Sequence, residues 1–299
     1  MSSAKRRSGL RIGKLVVIGV GLIGGSFSLA LKKAGVVKRV AGVGRTKKNL
    51  DAAMRLGVID EAHRDAATAV RNADLVLIGT PVGQMPEVMA EIAPALGPAT
   101  VVTDGGSTKQ NVIAYARRLL NAHFGRFVPS HPIAGTEHSG AAAAFPELYR
   151  DRNVIIVPQP ETTPAAARLV RAAWEACGAR VITLDARQHD QIFAAVSHLP
   201  HVVAFALVSM LAKRSDARTL LGFSGGGLHD TVRIAGSSPE MWRDICVANR
   251  DALLELLDDY TDELELARGA IENADGEALT DMFERARTAR SRWLLKKRA

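Results

Sequence analysis

Lys14-Leu15-Val16-Val17-Ile18-Gly19-Val20-Gly21-Leu22-Ile23-Gly24-Gly25-Ser26 is the stretch that decides the fold. After Lys14, Leu15 to Ile18 are a continuous apolar run rich in β-branched side chains, the pattern of a strand buried on both faces. The next six spell G-x-G-x-x-G, and Phe27 to Ala34 beyond them reads as a helix closed by Gly35. A glycine-rich turn between a buried strand and a helix is the fingerprint of a dinucleotide-binding βα unit. Gly19 is expected to make the turn, Gly21 to let the backbone approach a pyrophosphate, and Gly24 to let the helix lie close on the strand. The helix amino terminus, at Leu22 and Ile23, offers free N–H groups and the positive end of its dipole to the phosphates.

Working outward, the second strand is Arg39 to Val43, and the chain continues Gly44-Arg45-Thr46-Lys47-Lys48. A site for NAD usually carries a carboxylate here, to hold the ribose 2′-hydroxyl. This chain has none, and three cations fall within four residues. That favours a 2′-phosphate and hence NADP, with Arg45 and Thr46 facing it; NAD stays possible, since the cations also suit a solvated helix start. Asn49 to Leu56 is helical and ends at Gly57. Ala73 to Ile78 is a buried strand that runs into Gly79-Thr80-Pro81. Thr80 and Pro81 would sit over the nicotinamide half of the cofactor. Glu87 to Ala95 reads as a helix, and Thr100 to Asp104 as the next strand.

Gly105-Gly106-Ser107-Thr108-Lys109 then opens a helix from Gln110 to Leu120. Ser107 suits a plain N-cap; at a strand's carboxyl end it also suits contact with substrate. Asn153 to Val157, a helix from Thr163 to Ala176, and Arg180 to Leu184 complete the strand–helix–strand series. From Asp185 onward strand signals stop and the chain reads helical. The expectation is an α/β chain: a Rossmann-type doubly wound sheet over residues 1–184, then an all-α domain over 185–299.

At 299 residues the chain has room for two domains of ordinary size. Its 47% hydrophobic and 23% charged content is that of a globular protein. The two cysteines, Cys177 and Cys246, make no metal-type spacing and point to a reducing, cytoplasmic setting. The basic start, Met1 to Arg11, leads into no apolar h-region and is not expected to be a signal peptide. The longest apolar run, Val202 to Ala212, is expected to be too short for a membrane. The formal charge of +8 gathers at the two ends without interleaved aromatics. It therefore calls for no nucleic acid and equally suits an anionic substrate and a phosphate-bearing cofactor.

Downstream of the apolar run Phe127-Val128-Pro129 comes His131-Pro132-Ile133-Ala134-Gly135-Thr136-Glu137-His138-Ser139-Gly140. Two prolines and two glycines across these residues exclude a regular helix, so the stretch reads as a loop at a strand end, where α/β proteins bind ligands. In the helical half, Val196-Ser197-His198-Leu199-Pro200-His201 places two histidines three apart on one helix face. No cysteine or acidic cluster accompanies them, so a metal is not expected. Arg233 follows the glycine-rich break Gly222 to Gly227; it suits either a surface ion pair or a bidentate clamp on a carboxylate. Trp242 lies close by in the sequence.

The order of GVGLIGGS, DGGSTK, HPIAGTEHSG, VSHLPH and GGGLHDTVRIAGSSPEMWRDI resembles the prephenate/arogenate dehydrogenase family of tyrosine biosynthesis. The likeness runs from about Lys14 nearly to the end. It implies a Rossmann domain joined to a helical domain that forms a homodimer, with the active site in the cleft between them. It implies that His131 is the catalytic base and that Ser107 orients it and the substrate hydroxyl. Arg233 would hold the substrate carboxylate, His198 and His201 would line the helical wall, and Glu137 would be the loop glutamate. The reaction implied is oxidative decarboxylation of a small dicarboxylate, prephenate or arogenate, with hydride passing to NAD(P). The departure is at Gly44-Arg45, where members using NAD commonly have Asp. Two other readings stand beside this one: a dehydrogenase of the β-hydroxyacid type, which usually relies on a lysine in the helical half, and a non-catalytic dinucleotide-binding regulator.

Overall fold

The structure is a computed structural model that describes residues 9–136 and 138–298, with side chains as far as 295. Compactness divides it into two units, Met1–Arg250 and Asp251–Ala299.

The first unit begins with β1 (Ile12–Ile18), α1 (Leu22–Ala34), β2 (Val37–Val43), α2 (Lys47–Arg55), β3 (Glu61–His63) and α3 (Ala66–Ala69). It continues with β4 (Leu75–Ile78), α4 (Met85–Ile92), β5 (Val101–Asp104), α5 (Gln110–Leu119) and β6 (Phe127–Val128). These strands form one six-stranded sheet in the order β3-β2-β1-β4-β5-β6, parallel throughout. The order reverses between β1 and β4, and ligands of doubly wound sheets bind outside the strand carboxyl ends at that point. Successive strand side chains point to opposite faces. Leu15, Val17, Leu75 and Leu77 accordingly pack on one side with Phe27 and Trp174, while Val16, Ile18, Val76 and Ile78 pack on the other with Met85, Met89 and Ile113. Both faces are covered, which is why these strands read as unbroken apolar runs.

Three expectations need correction. Helix α1 begins at Leu22, not Phe27. Gly24 and Gly25 lie inside its first turns because a side chain at Gly24 would collide with the Gly19 carbonyl and Val17. The strands after β6 do not extend the large sheet. Pro129 ends β6, and β7 (Ser130–Pro132), β8 (Asn153–Ile156) and β9 (Arg180–Thr183) form a second, three-stranded sheet in that order, with α6 (Pro164–Ala176) between β8 and β9. His131 therefore sits on an edge strand, antiparallel to β8 and opposite Ile155, and not in a loop. Pro132 is tolerated there because an edge strand can do without its N–H.

The third correction concerns the helices. α7 (Ala186–Phe193), a π-type turn (Ala194–His198) and α8 (Leu199–Ala212) make one continuous run. At 27 residues, Ala186–Ala212 is long and apolar enough to cross a membrane by length and composition, unlike the Val202–Ala212 segment read alone. Pro200 does not end the run: it stands in the first turn of α8, directly after the wider turn. The unit ends with α9 (Ala217–Gly222), α10 (Gly226–Val232), a short 3₁₀ segment (Arg233–Gly236) and α11 (Pro239–Ala248). Secondary structure changes type near Leu184, but close packing continues to Arg250. The second unit holds most of α12 (Arg250–Glu272) and all of α13 (Gly276–Arg298). Leu266, Ile271 and Phe283 are exposed on these helices.

Candidate active site

The glycine loop divides its work as the sequence suggests. Gly19 has φ +93°, and a Cβ there would lie 2.7 Å from the Gly79 carbonyl carbon. A Cβ at Gly21 would meet nothing within 4 Å, so open space lies over the backbone where a pyrophosphate must approach. Gly21 is also the N-cap of α1 and offers no side-chain cap, which leaves the first N–H groups of the helix, from Leu22 and Ile23, for a ligand. Beside the turn, the hydroxyl oxygen of Thr80 is buried without a hydrogen-bond partner, next to half-buried Pro81. An orphaned polar atom at a strand's carboxyl end is what a bound nicotinamide half would satisfy. These residues fit a nicotinamide dinucleotide.

At the end of β2, Thr46 is the N-cap of α2, accepting from Asn49 N, and Lys47 pairs with Asp51. Exposed Arg45 and Lys48 have no ion pair among the described residues, and Arg45, nearer the end of β2, is placed to meet an anion there.

The carboxyl ends of β5 and β6 hold a buried polar cluster. Lys109 and Asp104, both fully buried, form an ion pair. Lys109 Nζ also donates to the Ser130 carbonyl at 2.7 Å, and Asp104 accepts from Ser130 N at 3.0 Å and Gly106 N at 2.8 Å. Trp174 Nε1 donates to Ser130 Oγ at 3.1 Å. Every partner of Ser130 thus fixes the strand that carries His131. Burial lowers the Lys109 pKa, and Asp104 resists that shift.

His131 is half-buried, and its Nδ1 lies 2.9 Å from His189 Nε2. His189 Nδ1 lies 2.8 Å from Asp190 Oδ1. Phe193, one turn further along α7, packs edge-on against the His131 ring at 4.7 Å. Burial, and then the nearby His189, Lys109 and His198, hold His131 well below the ordinary histidine range, so it is a neutral imidazole. Its Nε2 has no hydrogen bond among the described residues. The Ser107 hydroxyl likewise bonds to nothing described, and the partner that orients His131 in the structure is His189.

The helical wall is linked to this cluster through Asn249. Its Nδ2 donates to the Asp190 carbonyl at 2.8 Å and lies 3.0 Å from His198 Nδ1. Since an amide nitrogen only donates, His198 accepts at Nδ1 and carries its proton on Nε2, a buried donor without a partner. Burial pushes His198 down to about 4. His201 donates from Nδ1 to the Ser197 carbonyl at 2.8 Å, which leaves its Nε2 as an acceptor. Its ring stacks on Trp242 at 3.5 Å, and the Trp242 Nε1 is a second buried donor without a partner. Exposed Arg233 stands at the start of the 3₁₀ segment; burial and then its positive charge lower the His201 pKa.

His131, His198, His201 and Trp242 are therefore brought onto one connected set of side chains, and Arg233 is near enough for its charge to act on His201. Arg45 and Thr46 stand apart from it, at the β2 end. Glu137 lies outside the described residues. His189, Asp190, Lys109, Asp104 and Asn249 were not singled out from the sequence. The only local signal was polar residues in apolar helical surroundings, as in His189-Asp190 before Ile192-Phe193. Among the described residues no three metal-type ligands come together.

Residues 27–183 match the family described as prephenate dehydrogenase, nucleotide-binding domain, and residues 185–285 match prephenate dehydrogenase, dimerization domain. The chain is 37% identical to a cyclohexadienyl dehydrogenase of Zymomonas mobilis, over 92% of this chain and 94% of that protein. It is 35% identical to a prephenate dehydrogenase of Bacillus subtilis, over 92% of this chain and 75% of that protein. The crystal structure of prephenate dehydrogenase from A. aeolicus, in complex with hydroxyphenyl propionate and NAD+, superposes with a TM-score of 0.86 at 32% identity, covering 95% of this chain and 99% of that one. A dinucleotide loop, a neutral half-buried histidine, and these likenesses along nearly the whole length agree: the chain belongs to the prephenate dehydrogenase family.

Proposed function

We propose that the protein catalyses oxidative decarboxylation in tyrosine biosynthesis. It would convert prephenate to 4-hydroxyphenylpyruvate, or arogenate to tyrosine, and use NADP in preference to NAD. The observation that carries this reading is His131, a neutral imidazole with an unbonded Nε2, on a strand whose next residue, Pro132, approaches the dinucleotide loop. Ile23 of that loop and Pro132 next to His131 flank the same glycine: a Cβ on Gly105 would lie 3.1 Å from Ile23 Cγ2 and 4.0 Å from Pro132 Cδ.

The substrate ring bears a hydroxyl at one end and a carboxylate at the other. His131 Nε2 accepts the hydroxyl proton as the carbon–hydrogen bond at that carbon breaks. A positioned base of this kind contributes roughly a hundred- to ten-thousand-fold in rate. The dinucleotide supplies the hydride acceptor when bound. Loss of carbon dioxide makes the ring aromatic and drives the reaction, so the protein has mainly to orient and deprotonate. Ser107, with its hydroxyl free, hydrogen-bonds the reacting hydroxyl. Arg233 clamps a carboxylate, and the donors on His198 Nε2 and Trp242 Nε1 complete the wall. Glu137 belongs to the same substrate loop. The helical segment 185–299 forms the homodimer and covers the exposed apolar side chains of α12 and α13, and the protein works in the cytoplasm on a small-molecule substrate. A lysine base of the β-hydroxyacid type has less support, because the helical wall joined to the His131 cluster presents His198, His201 and Asn249.

The test is a steady-state comparison of prephenate and arogenate with NADP and NAD, following cofactor reduction and carbon dioxide release together. Turnover of at least one substrate with both signals in equal amounts is expected. Reduction without carbon dioxide, or no turnover of either substrate, would overturn the reading.

A further inference from the structure

Asp190 and His189 are consecutive residues of α7, both buried, and no step above uses them. The Asp190 carboxylate accepts from His189 Nδ1 at 2.8 Å, from Lys109 N at 2.7 Å and from Gln110 N at 2.9 Å. The two backbone donors stand at the start of α5, where unpaired N–H groups and the helix dipole favour an anion. Burial pushes the Asp190 carboxyl up, but these hydrogen bonds outweigh it and hold the group below the usual carboxylate range. It is ionised.

Each later assignment follows by hydrogen-bond accounting. An ionised carboxylate only accepts, so His189 carries a proton on Nδ1. Burial keeps His189 neutral, so its Nε2 has a lone pair and no proton. That Nε2 faces His131 Nδ1 at 2.9 Å, so His131 must donate from Nδ1. A neutral His131 is then bare at Nε2. Phe193 packs on both rings, at 4.7 Å from His131 and 4.6 Å from His189, and limits their rotation.

We infer that His189 and Asp190 are positioning residues which fix the tautomer of His131, holding its proton on Nδ1 and presenting a bare Nε2 to the substrate hydroxyl. The inference rests on the reading of His131 as the base. The logic is that of a serine-protease triad with a second imidazole inserted between carboxylate and base. Proton bookkeeping is complete within the cluster: the substrate proton arrives at His131 Nε2, the Nδ1 proton stays on its hydrogen bond to His189, and the fixed Asp190 charge acts on the imidazolium that forms through His189.

Nitrogen NMR of histidine-labelled protein reads the tautomer directly, with His131→Asn as the assignment control. The expected spectrum has His131 neutral, protonated at Nδ1 and bare at Nε2. A proton on Nε2 overturns the inference. This reading needs no substrate, so it stands apart from the proposed reaction: a parent enzyme inactive on both substrates breaks that reaction and leaves the tautomer still measured. Kinetics supply the second arm. Asp190→Asn can donate to His189 Nδ1 and so reverse both tautomers. Its kcat should fall about a thousandfold or more, by analogy with the protease carboxylate, while KM and dinucleotide affinity change less than about threefold. Should Asp190→Asn not fold, two changes at His189 decide the point. His189→Gln keeps an acceptor for Nδ1–H and should stay within roughly tenfold of the parent, whereas His189→Leu removes it and should lose far more. Equal kcat in the Gln and Leu variants would overturn the positioning role.

Discussion

The two parts of the site are built in opposite ways. The dinucleotide loop is one short stretch, Gly19 to Gly24, and works through backbone: a positive φ, an open face and a close approach. The proton-handling cluster works through side chains from β5, the start of α5, β7, α7 and the end of α11, drawn from Asp104 to Asn249. The loop is sensitive to added atoms but carries no buried charge. The cluster buries a row of ionisable groups, and the state of each depends on its neighbour. Changes to the cluster should therefore propagate, while changes at the cofactor's far end should stay local.

The largest effect is expected at the centre of the cluster. His131→Asn should retain dinucleotide binding and lower kcat by roughly a hundred- to ten-thousand-fold. Near-parental turnover would break the contrast, because the cluster would then not be catalytic. The pH profile sharpens it. A base must be neutral to act, and burial holds the His131 pKa well below 6.5. Activity should therefore persist as pH falls through 6.5 and be lost only below it. An acid limb centred at or above the ordinary histidine value would show that His131 is not desolvated.

Next comes the fully buried ion pair. Removing one partner strands the other charge, which typically costs about 3–5 kcal/mol. Lys109→Met should destabilise the protein by about that amount, measured by denaturant unfolding. Lys109→Met combined with Asp104→Asn should recover part of it. If the single variant loses under about 1 kcal/mol, the pair does not hold the strand of His131 as its geometry implies.

The same contrast explains what was legible. Lys14 to Ser26 carries its whole signal within one βα unit, so strand, turn and helix could be read from spacing; only the start of α1 was misplaced, because glycines inside a helix imitate a loop. The second sheet was not legible. Nothing local in Asn153–Ile156 says which sheet it joins, and Pro129, which separates β6 from β7, reads equally as part of a loop. His131 stood out through its motif, but its partner His189 is 58 residues away and reads by itself as one polar residue in a helix. Hydrogen-bond partners at such separations are fixed by topology, which periodicity does not report.

Acid stability tests the cluster as a whole. In the folded state His198 is depressed to about 4, whereas an unfolded histidine titrates near 6.5. Between those values the unfolded chain takes up a proton that the folded chain declines, so stability falls as pH falls. The full contribution is present above pH 6.5 and should shrink by at most about 3 kcal/mol on approach to pH 4. His131 and His189 shift in the same direction and steepen the loss. Unfolding free energies that do not change across this window would show that the imidazoles are solvated.

Arg233 lies at the exposed edge, so its effect should be smaller. Arg233→Ala should raise KM for substrate by roughly tenfold to a hundredfold, with kcat falling less, the mark of binding shared by ground and transition states. Arg233→Lys keeps the charge but loses the two-pronged geometry and should fall in between. An unchanged KM would move the carboxylate clamp elsewhere on the wall.

The smallest effect is expected at the cofactor's far end. Arg45 follows β2 where an NAD site would place a carboxylate, and Gly44-Arg45 offers none. Thr46 is committed to capping α2 and Lys47 already pairs with Asp51, so Arg45 and Lys48 keep free charges among the described residues, and Arg45 is the one nearer the end of β2. A guanidinium meets a 2′-phosphate with charged hydrogen bonds, but this one is exposed, and solvent and salt weaken it. Arg45→Ala should therefore weaken NADP by about 1.5 kcal/mol, roughly tenfold, and leave NAD within about twofold. The NADP effect should shrink as salt rises, whereas the His131→Asn defect, inside the buried cluster, should not. Equal weakening of both cofactors would mean that Arg45 touches the shared part of the dinucleotide. A parent enzyme that prefers NAD would mean that Gly44 and the main chain near it accept the ribose hydroxyls without the usual carboxylate, and that the cations beyond β2 belong to a solvated helix start.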